Sequence, residues 1–228
     1  MYKNLKEKQD MFTGITKGLY EVITLTKSPG LINYTVNLSA ELCNNLKPGD
    51  SVAVDGVCQT VVTLENTHVS FQAIQETLDK TTLNELQQGS YVSIERSLRF
   101  GDEIGGHEVS GHVFGTARIH QRIRDKNNLT LVIQCEPEWM KYILPKGFIA
   151  VDGSSLTVGK TIPEQGLFYL HLIPETLRLT HFANKQVHNK VNIEFDQKTK
   201  TIVDSIERIL SSHEIQNMIK KSGMNYEA

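Results

Sequence analysis

The feature that most constrains this chain is an internal repeat with a period close to 97 residues. The segment 53–61 aligns with the segment 150–158, and six of the nine aligned pairs are identical. Chance identity is roughly one in twenty per position at ordinary residue usage, so coincidence does not explain the match. The register extends upstream, where Gly14-Ile15 corresponds to Gly111-His112. The sequence therefore contains two tandem copies of one domain.

The period is too long for a solenoid and matches the size of a small domain. The 228 residues then divide into a leader at 1–10, a first domain at 11–97, a second domain at 98–197 and a tail at 198–228. The tail has apolar residues at helical spacing with charges between them, namely Ile202, Ile206, Ile209 and Leu210. This pattern predicts an amphipathic helix. Packing of the helix on its own domain and packing on another subunit both remain open.

Each copy is predicted to be all-β. Short β-branched runs are separated by turn signals such as Lys47-Pro48-Gly49 and Pro145-Lys146-Gly147. The segments 51–54 and 91–95 alternate with period two, as half-buried strands do. About six strands per copy, with no helical crossover, predict a closed antiparallel barrel rather than an open parallel sheet.

The composition excludes several classes of partner. There are 24 Lys and Arg against 26 Asp and Glu, and with a net charge of −2 we expect no nucleic-acid or membrane partner. The longest apolar runs, such as 148–151, fall far short of the ~20 residues that span a bilayer. The polar N-terminus contains no signal-peptide core. Three widely spaced cysteines argue against a disulfide framework or a zinc site, and predict a cytoplasmic protein.

The two copies share a scaffold but differ in the residues that can do chemistry. The second copy has His112 where the first has Ile15, Ser155 where it has Cys58, His171 where it has Gln72 and Asp196 where it has Ser97. Two similar pockets should bind similar ligands, and the titratable groups concentrate in one of them. The pattern is therefore a candidate for a reaction between two related molecules. For each histidine, a structural hydrogen-bonding role remains the alternative.

Five motifs in order carry a resemblance to a known family. They are Met11-Phe12-Thr13-Gly14-Ile15, the paired segments 51–61 and 146–158, Gly105–His112 and Ile173–Arg178. They closely resemble the motifs of the riboflavin synthase family, whose members are duplicated-barrel, lumazine-binding enzymes, and the match extends from Met11 to about Leu210. The resemblance implies an all-β fold of two tandem homologous six-stranded Greek-key β-barrels plus a C-terminal α-helix.

The resemblance also implies a transferase that needs no cofactor and no metal. Two molecules of 6,7-dimethyl-8-ribityllumazine would be dismutated by transfer of a four-carbon unit, which gives riboflavin and 5-amino-6-ribitylamino-pyrimidinedione in the last step of riboflavin biosynthesis. The family is a homotrimer with the C-terminal helices at its centre. The reacting pair lies between barrels of neighbouring subunits. Association with a lumazine synthase is left open.

By the same resemblance, each barrel binds one lumazine. The substrate contacts expected in the first half are Phe12, Gly14, Ile15, Thr16, Cys58, Gln59, Thr60, Gln72, Ala73, Ile74, Gln75, Glu76 and Thr77. Those expected in the second half are Gly111, His112, Val113, Lys146, Ser155, Leu156, Thr157, Ile173, Pro174, Glu175, Thr176 and Leu177. Among these, Lys146 would reach across to the neighbouring subunit.

The residue types suit the catalytic roles that the reaction requires. A proton must leave the 7-methyl group of one lumazine, and we expect His112 to accept it. The other ring would be activated by addition of water, of Ser155 or of Cys58. Thr157 and Asp196 would orient water or stabilise charge. By the resemblance alone, Ser51 would serve as a hydroxyl donor.

A second interpretation comes from a non-catalytic class. The luminescence-associated lumazine proteins keep the double-barrel fold, bind one chromophore, and resemble the enzymes mostly in the first half. Here the second-half motifs survive, among them Ser110-Gly111-His112, which favours the enzyme. The chain departs from the family pattern in the ten residues before Met11, and in Gln59 and Ser154, where Leu and Ile are usual. Either Met11 is the true start or the extension is displaced from the pocket.

Overall fold

The computed structural model describes residues 11–126, 128–213 and 215–216, which are mostly β-strand. The first half contains β1 (Leu19–Ser28), β2 (Leu31–Asn37), α1 (Ala40–Cys43), β3 (Ser51–Val54), β4 (Val57–Thr60), β5 (Thr63–Glu65), β6 (His68–Ile74), α2 (Gln75–Lys80) and β7 (Tyr91–Arg96). The second half contains β8 (Gly115–Asp125), β9 (Asn128–Gln134), β10 (Phe148–Val151), β11 (Ser154–Ile162), β12 (Leu167–Leu172), α3 (Pro174–Leu179), β13 (Lys190–Phe195) and α4 (Gln197–Leu210). Short 3₁₀ helices lie at Thr82–Glu85, Pro137–Tyr142, Pro163–Gln165 and His181–Ala183. The predicted leader at 1–10 and the end of the tail lie outside the described residues.

The second half is a closed antiparallel barrel of six strands. Its strand order is β10-β11-β12-β9-β8-β13, and β13 closes the ring by pairing with β10. Strand β9 pairs with β12 rather than with β10, which follows it in the chain, and this is a Greek-key connection. The barrel predicted for this half is confirmed.

The first half has the same strand order, but one strand is interrupted. Its seven strands follow the order β4-β3-β7-β1-β2-β6-β5, in which β4 and β5 together occupy the place of the single strand β11. The interruption falls at Val61, whose amide donates to the carbonyl of Asp50 at 2.9 Å. The second half accommodates the same irregularity as a register shift between Val158 and Thr161. The closed six-stranded barrel predicted for the first half is therefore a seven-stranded sheet, whose ends β4 and β5 are the two pieces of the interrupted strand. The prediction of two homologous β domains is confirmed.

Alternation along the strands decides which side chains face outward. In β6 the side chains of Val69, Phe71 and Ala73 are buried in the core of the first half, which leaves Gln72 and Ile74 on the outer face. Strand β12 follows the same pattern against a separate core. Each half therefore supports its own outer surface just before α2 or α3.

The predicted C-terminal helix is confirmed over Gln197–Leu210, where it packs on the second barrel. The hydroxyl of Tyr142 donates to Oδ1 of Asp204 at 2.6 Å, and Val203 packs against the barrel core. The isoleucines elsewhere on the helix, Ile202, Ile206 and Ile209, are each more than half exposed. No helix within the described part of the chain combines the length and the apolarity needed to cross a membrane.

The two halves meet through their paired Asp-Gly turns. Gly56 and Gly153 approach so closely that a Cβ atom on Gly56 would lie 2.3 Å from the amide nitrogen of Gly153. Beside them, the side-chain amide of Asn192 donates to the carbonyl of Asp55 at 2.8 Å, and the amide of Thr82 donates to Oδ1 of Asn192 at 2.8 Å. The relative position of the halves is therefore fixed by backbone contact and by buried hydrogen bonds.

A buried cluster of charged groups lies at the same junction. Nζ of Lys185 is 3.0 Å from Oδ2 of Asp152. Nε2 of His181 is 3.3 Å from Oδ2 of Asp152 and 3.6 Å from Oδ1 of Asp55, so it lies between the carboxylates of the two halves. Both cations come from the second half, and both aspartates belong to the repeated turn.

Candidate active site

The first glycine loop, residues 13–15, is held by a buried carboxylate. Thr13 donates its amide and its hydroxyl to Oε1 of Glu95, both at 2.7 Å, and the amide of Gly14 donates to Oε2 at 3.0 Å. Burial raises the pKa of Glu95, and these hydrogen bonds, which favour the charged form, offset part of the rise. Glu95 thereby fixes the loop backbone, while the side chain of Ile15 is exposed.

The second glycine loop, residues 110–112, repeats this support with different chemistry at its tip. Ser110 donates its amide and hydroxyl to Oε1 of Glu194 at 2.7 Å each, and the amide of Gly111 donates to Oε2 at 3.0 Å. Burial likewise raises the pKa of Glu194. The exposed side chain at the tip is now the imidazole of His112.

Each glycine loop contacts a strand of the other half. The amide of Ser155 donates to the carbonyl of Gly14 at 2.8 Å, and the amide of Cys58 donates to the carbonyl of Gly111 at 2.9 Å. Both glycines have positive φ, and a Cβ atom would lie 2.5 Å from Cβ of Ser155 or 2.7 Å from Cβ of Cys58. Glycine is therefore required at both positions. The structure brings Ser155 to the first glycine loop and Cys58 to the second, so each group combines residues from both halves.

The outer faces of β6 and β12 carry polar pairs at equivalent positions. In the first half, Nε2 of Gln72 donates to Oδ1 of Asn33 at 2.8 Å. In the second half, Nδ1 of His171 lies 2.9 Å from Oγ1 of Thr130. One surface position therefore carries an amide in one half and an imidazole in the other, which extends the asymmetry seen between Ile15 and His112.

Most of the predicted substrate contacts are accessible. The exposed residues are Ile15, Thr60, Gln72, Ile74, Gln75, Glu76, His112, Lys146, Thr157, Ile173, Pro174 and Glu175, and the partly exposed ones are Cys58, Thr77, Val113, Ser155, Thr176 and Leu177. The remaining predicted contacts are buried, namely Phe12, Gly14, Thr16, Gln59, Ala73, Gly111 and Leu156.

Three of the predicted residues have structural partners. Oδ2 of Asp196 accepts the amide of Thr199 at 2.8 Å and so caps the N-terminus of α4. Phe12 is buried and pairs with Val109 in an antiparallel bridge between the halves. Ser51 is buried in β3, where its carbonyl accepts the amide of Ser97 at 3.2 Å. The roles suggested for these residues in substrate binding or catalysis stay predictions.

Sequence reasoning missed three residues that support the site. Glu95 and Glu194 were visible as an aligned pair of the repeat, and an acidic residue kept in two otherwise apolar strands is a signal for a buried hydrogen-bonding partner. His107 was recognised only as part of a glycine-rich motif. In the structure its Nδ1 lies 2.7 Å from Oγ of Ser155.

An open groove of about 720 Å³ lies at one end of the first half, beside the first glycine loop. Ile15 is the one predicted substrate contact among its lining residues, which also include Asn44 and Arg96. The residue equivalent to Asn44 is Lys141, whose Nζ donates to Glu207 of α4 at 2.6 Å. The groove therefore lies where the second half carries its helix, and it meets the predicted substrate surface only at Ile15.

Comparison with known proteins identifies the family. The model of the lumazine binding domain matches residues 13–97 and 110–196, so both halves are copies of that domain. The chain is 42% identical to the riboflavin synthase of Escherichia coli K12 over 205 residues, which cover 90% of this chain and 95% of that protein. The chain belongs to the riboflavin synthase family.

Other members of the riboflavin synthase family agree. The protein of Buchnera aphidicola subsp. Schizaphis graminum is 44% identical over 201 residues, covering 88% of this chain and 96% of its own. The riboflavin synthase of Chlamydia pneumoniae is 40% identical over 202 residues, which cover 89% of this chain and 98% of that protein. The family assignment made from the motifs is confirmed, as is the assignment to an enzyme of the transferase class.

Solved structures support the fold. A crystal structure of LumP complexed with riboflavin superimposes with a TM-score of 0.75 at 20% identity, covering 82% of this chain and 100% of that chain. The crystal structure of LumP complexed with 6,7-dimethyl-8-(1'-D-ribityl) lumazine gives a TM-score of 0.73 at 20% identity, and the match covers 82% of this chain and 99% of that chain. At this identity the likeness extends to the fold alone.

Proposed function

We propose that this chain catalyses the riboflavin synthase reaction, in which two molecules of 6,7-dimethyl-8-ribityllumazine give riboflavin and 5-amino-6-ribitylamino-pyrimidinedione. One lumazine loses four carbons and the other gains them, so the reaction needs no external oxidant or reductant. The observation that carries the proposal is the pair of glycine loops with identical support and different tips. Equivalent scaffolds suit two identical molecules, and different side chains suit the different roles that those molecules play.

His112 is proposed as the base that removes a proton from the 7-methyl group of one lumazine. Its side chain is exposed, and Glu194 fixes the loop that carries it through Ser110 and Gly111. Cys58 lies against this loop, and Ser155 lies against the other. A nucleophile is thus available beside each tip, and water remains the third candidate for addition to the second ring.

The remaining catalytic residues complete the proposal. Thr157 is exposed on β11, two positions after Ser155, and would orient water. Asp196 would act through its charge, and Ser51 through its hydroxyl. Lys146 lies in a turn, with φ of 67°, and its side chain is exposed. A residue that contacts another subunit must be exposed in the isolated chain.

The assembly is also a proposal. The chain would form a homotrimer through a tail at 198–228, and the barrels would comprise 11–97 and 98–197. The exposed isoleucines of α4, Ile202, Ile206 and Ile209, support this because an apolar helix face favours burial against another subunit. A cytoplasmic location, which the cysteine content favours, and association with a lumazine synthase belong to the same proposal. The latter is tested by copurification of the two proteins.

The reaction is tested by incubating the purified protein with the lumazine and following riboflavin absorbance. We expect the wild-type protein to form riboflavin, and His112→Gln to lower turnover about a hundredfold while lumazine binding is kept, because a general base contributes at least this much. His120, exposed on β8 outside both loops, provides the matched control His120→Gln, which should be fully active. Binding without product would instead indicate a chromophore carrier, and unchanged turnover in His112→Gln would remove His112 from the mechanism.

A further inference from the structure

His107 is buried against Ser155 and is fixed on several sides. Its Nδ1 lies 2.7 Å from Oγ of Ser155, and its ring stacks on Phe148 with a centroid separation of 5.3 Å and an interplanar angle of 14°. The preceding residue, Gly106, leaves no room for a side chain, since a Cβ atom there would lie 2.6 Å from Cβ of Ser155. The imidazole therefore has one orientation relative to the serine hydroxyl.

The protonation state of this imidazole follows from its surroundings. Burial lowers the pKa of His107, although the charge of Asp196 opposes this, so the ring is neutral at about pH 7. Nε2 is buried and has no hydrogen-bond partner among the residues that the structure describes. A neutral ring has one N–H, and a buried N–H without a partner is rarer than an acceptor without one. The favoured tautomer therefore carries its proton on Nδ1, the atom that faces Ser155.

This tautomer decides what the serine can do. If Nδ1 donates to Oγ of Ser155, the hydroxyl proton of Ser155 is not taken up by the ring and is free to be donated elsewhere. The opposite tautomer would accept that proton and would make Ser155 a nucleophile. The residue 97 positions before His107 is Asp10, in the leader, so the register of the repeat offers Cys58 no corresponding imidazole.

We propose that His107 is a positioning residue whose Nδ1–H holds the hydroxyl of Ser155 as a hydrogen-bond donor toward an acceptor oxygen or nitrogen of the bound lumazine. The inference rests on the proposed function, because the acceptor belongs to the substrate. It assigns Ser155 to substrate polarisation and not to covalent addition. It leaves Cys58 and water as the candidate nucleophiles.

The tautomer is tested without any turnover. The protein is labelled with ¹⁵N-histidine, and long-range ¹H–¹⁵N correlations are recorded between about pH 7 and 8, with the His107 signals assigned by their loss in His107→Asn. We expect a protonated Nδ1 and an unprotonated Nε2 throughout this range. A protonated Nε2 with a bare Nδ1, or a charged ring at neutral pH, would overturn the proposal. Because no substrate is added, this result is independent of whether the protein forms riboflavin.

The positioning role is tested kinetically with variants that separate the two ring nitrogens. His107→Asn places an amide near the position of Nδ1, whereas His107→Phe keeps the stack on Phe148 and removes the donor. We expect His107→Phe and Ser155→Ala each to lower kcat about tenfold with little change in KM, and the double variant to lose no more than either one. His107→Asn should have a kcat close to that of the wild type, because its amide replaces the donor that His107→Phe lacks.

Two outcomes of this experiment would overturn the positioning role. One is a kcat for His107→Asn as low as that of His107→Phe, provided that both variants melt at the wild-type temperature. The other is a double variant whose loss is the product of the two single losses, since that would show that His107 and Ser155 act independently. If the wild-type protein itself forms no riboflavin, the proposed function fails and the tautomer measurement alone decides the inference.

Discussion

Replacement of Lys185 by Met tests the buried charge cluster that joins the two halves. Nζ of Lys185 is 3.0 Å from Oδ2 of Asp152, and the lysine and aspartate side chains are only 16% and 1% exposed. With Asp55 and His181, the cluster contains two carboxylates and two cations. Removing the lysine leaves two carboxylates and one cation in a largely buried site, so one negative charge has no compensation. Breaking a buried pair in this way costs about 3–5 kcal/mol.

The same variant should change how stability depends on pH. Burial lowers the pKa of His181, but the carboxylates of Asp55 and Asp152 outweigh this and raise it above its ordinary value. A raised pKa in the folded state contributes stability below the unfolded value of about 6.5, and that contribution is lost as the pH rises through the folded value. Without Lys185, His181 is the one cation left in the cluster, so we expect stability to fall more steeply above about pH 7 than in the wild type.

The measurement is thermal and urea unfolding, followed by circular dichroism at about pH 6 and pH 8. A loss of about 3 kcal/mol in the free energy of unfolding should lower the thermal midpoint by roughly 6–12 °C, since 1 kcal/mol corresponds to about 2–4 °C in a chain of this size. Lys190→Met is the matched control, because its pair with Glu85 is much more exposed and should be worth less than about 1 kcal/mol. Adding Asp55→Asn to Lys185→Met should recover part of the loss by restoring charge balance. Equal destabilisation by Lys185→Met and Lys190→Met would refute the reasoning.

Three further predictions concern the loop, the helix and a cysteine. Gly111→Ala should lower riboflavin formation at least tenfold, because the new Cβ would lie 2.7 Å from Cβ of Cys58. Gly49→Ala is the control and should keep its activity, because a Cβ atom there meets nothing within 4 Å. Equal activities of the two variants would contradict the contact. Ile206→Asp should shift the protein toward the monomer in sedimentation velocity, and an unchanged assembly would exclude this face of α4 from the interface. Burial raises the pKa of Cys135 to about 12, so its thiol should not react with iodoacetamide at neutral pH. Mass spectrometry should find Cys135 unmodified in the native protein and modified once urea is added. Rapid labelling of the native protein would show that Cys135 is not buried.

The sequence predicted those parts of the site that depend on the repeat. Aligning the halves identified both glycine loops, and strand alternation is enough to turn Gln72 and His171 outward. Asp196 was predicted to act in catalysis, and the structure shows it capping α4. The signal for the cap was present, because an aspartate directly before a run with helical periodicity is a strong N-cap candidate.

Contacts between the halves could not be predicted from the repeat. The approach of Gly14 to Ser155 depends on how the two halves are oriented, and that orientation is set by Gly56 against Gly153 and by the polar residues around them. A repeat defines what is equivalent within each copy and contains no information about the interface between copies. The break at Val61 is likewise a local choice between a bulge and an interruption, which sequence patterns do not distinguish.

The chemistry of the site follows from a duplication in which the support of the glycine loops was kept while the reactive side chains diverged. Glu95 and Glu194 make the same three hydrogen bonds in the two halves, so the geometry of the glycine loops was retained. The groups that differ are those presented on this geometry: an alkyl chain or an imidazole at the tip, and a hydroxyl or a thiol on the opposing strand. A reaction between two copies of one molecule needs this combination, because recognition must be alike while one copy gives up carbon and the other accepts it. The added imidazole of His107 beside Ser155 takes the divergence further, since it orients a hydroxyl in one half without altering the backbone that both halves share.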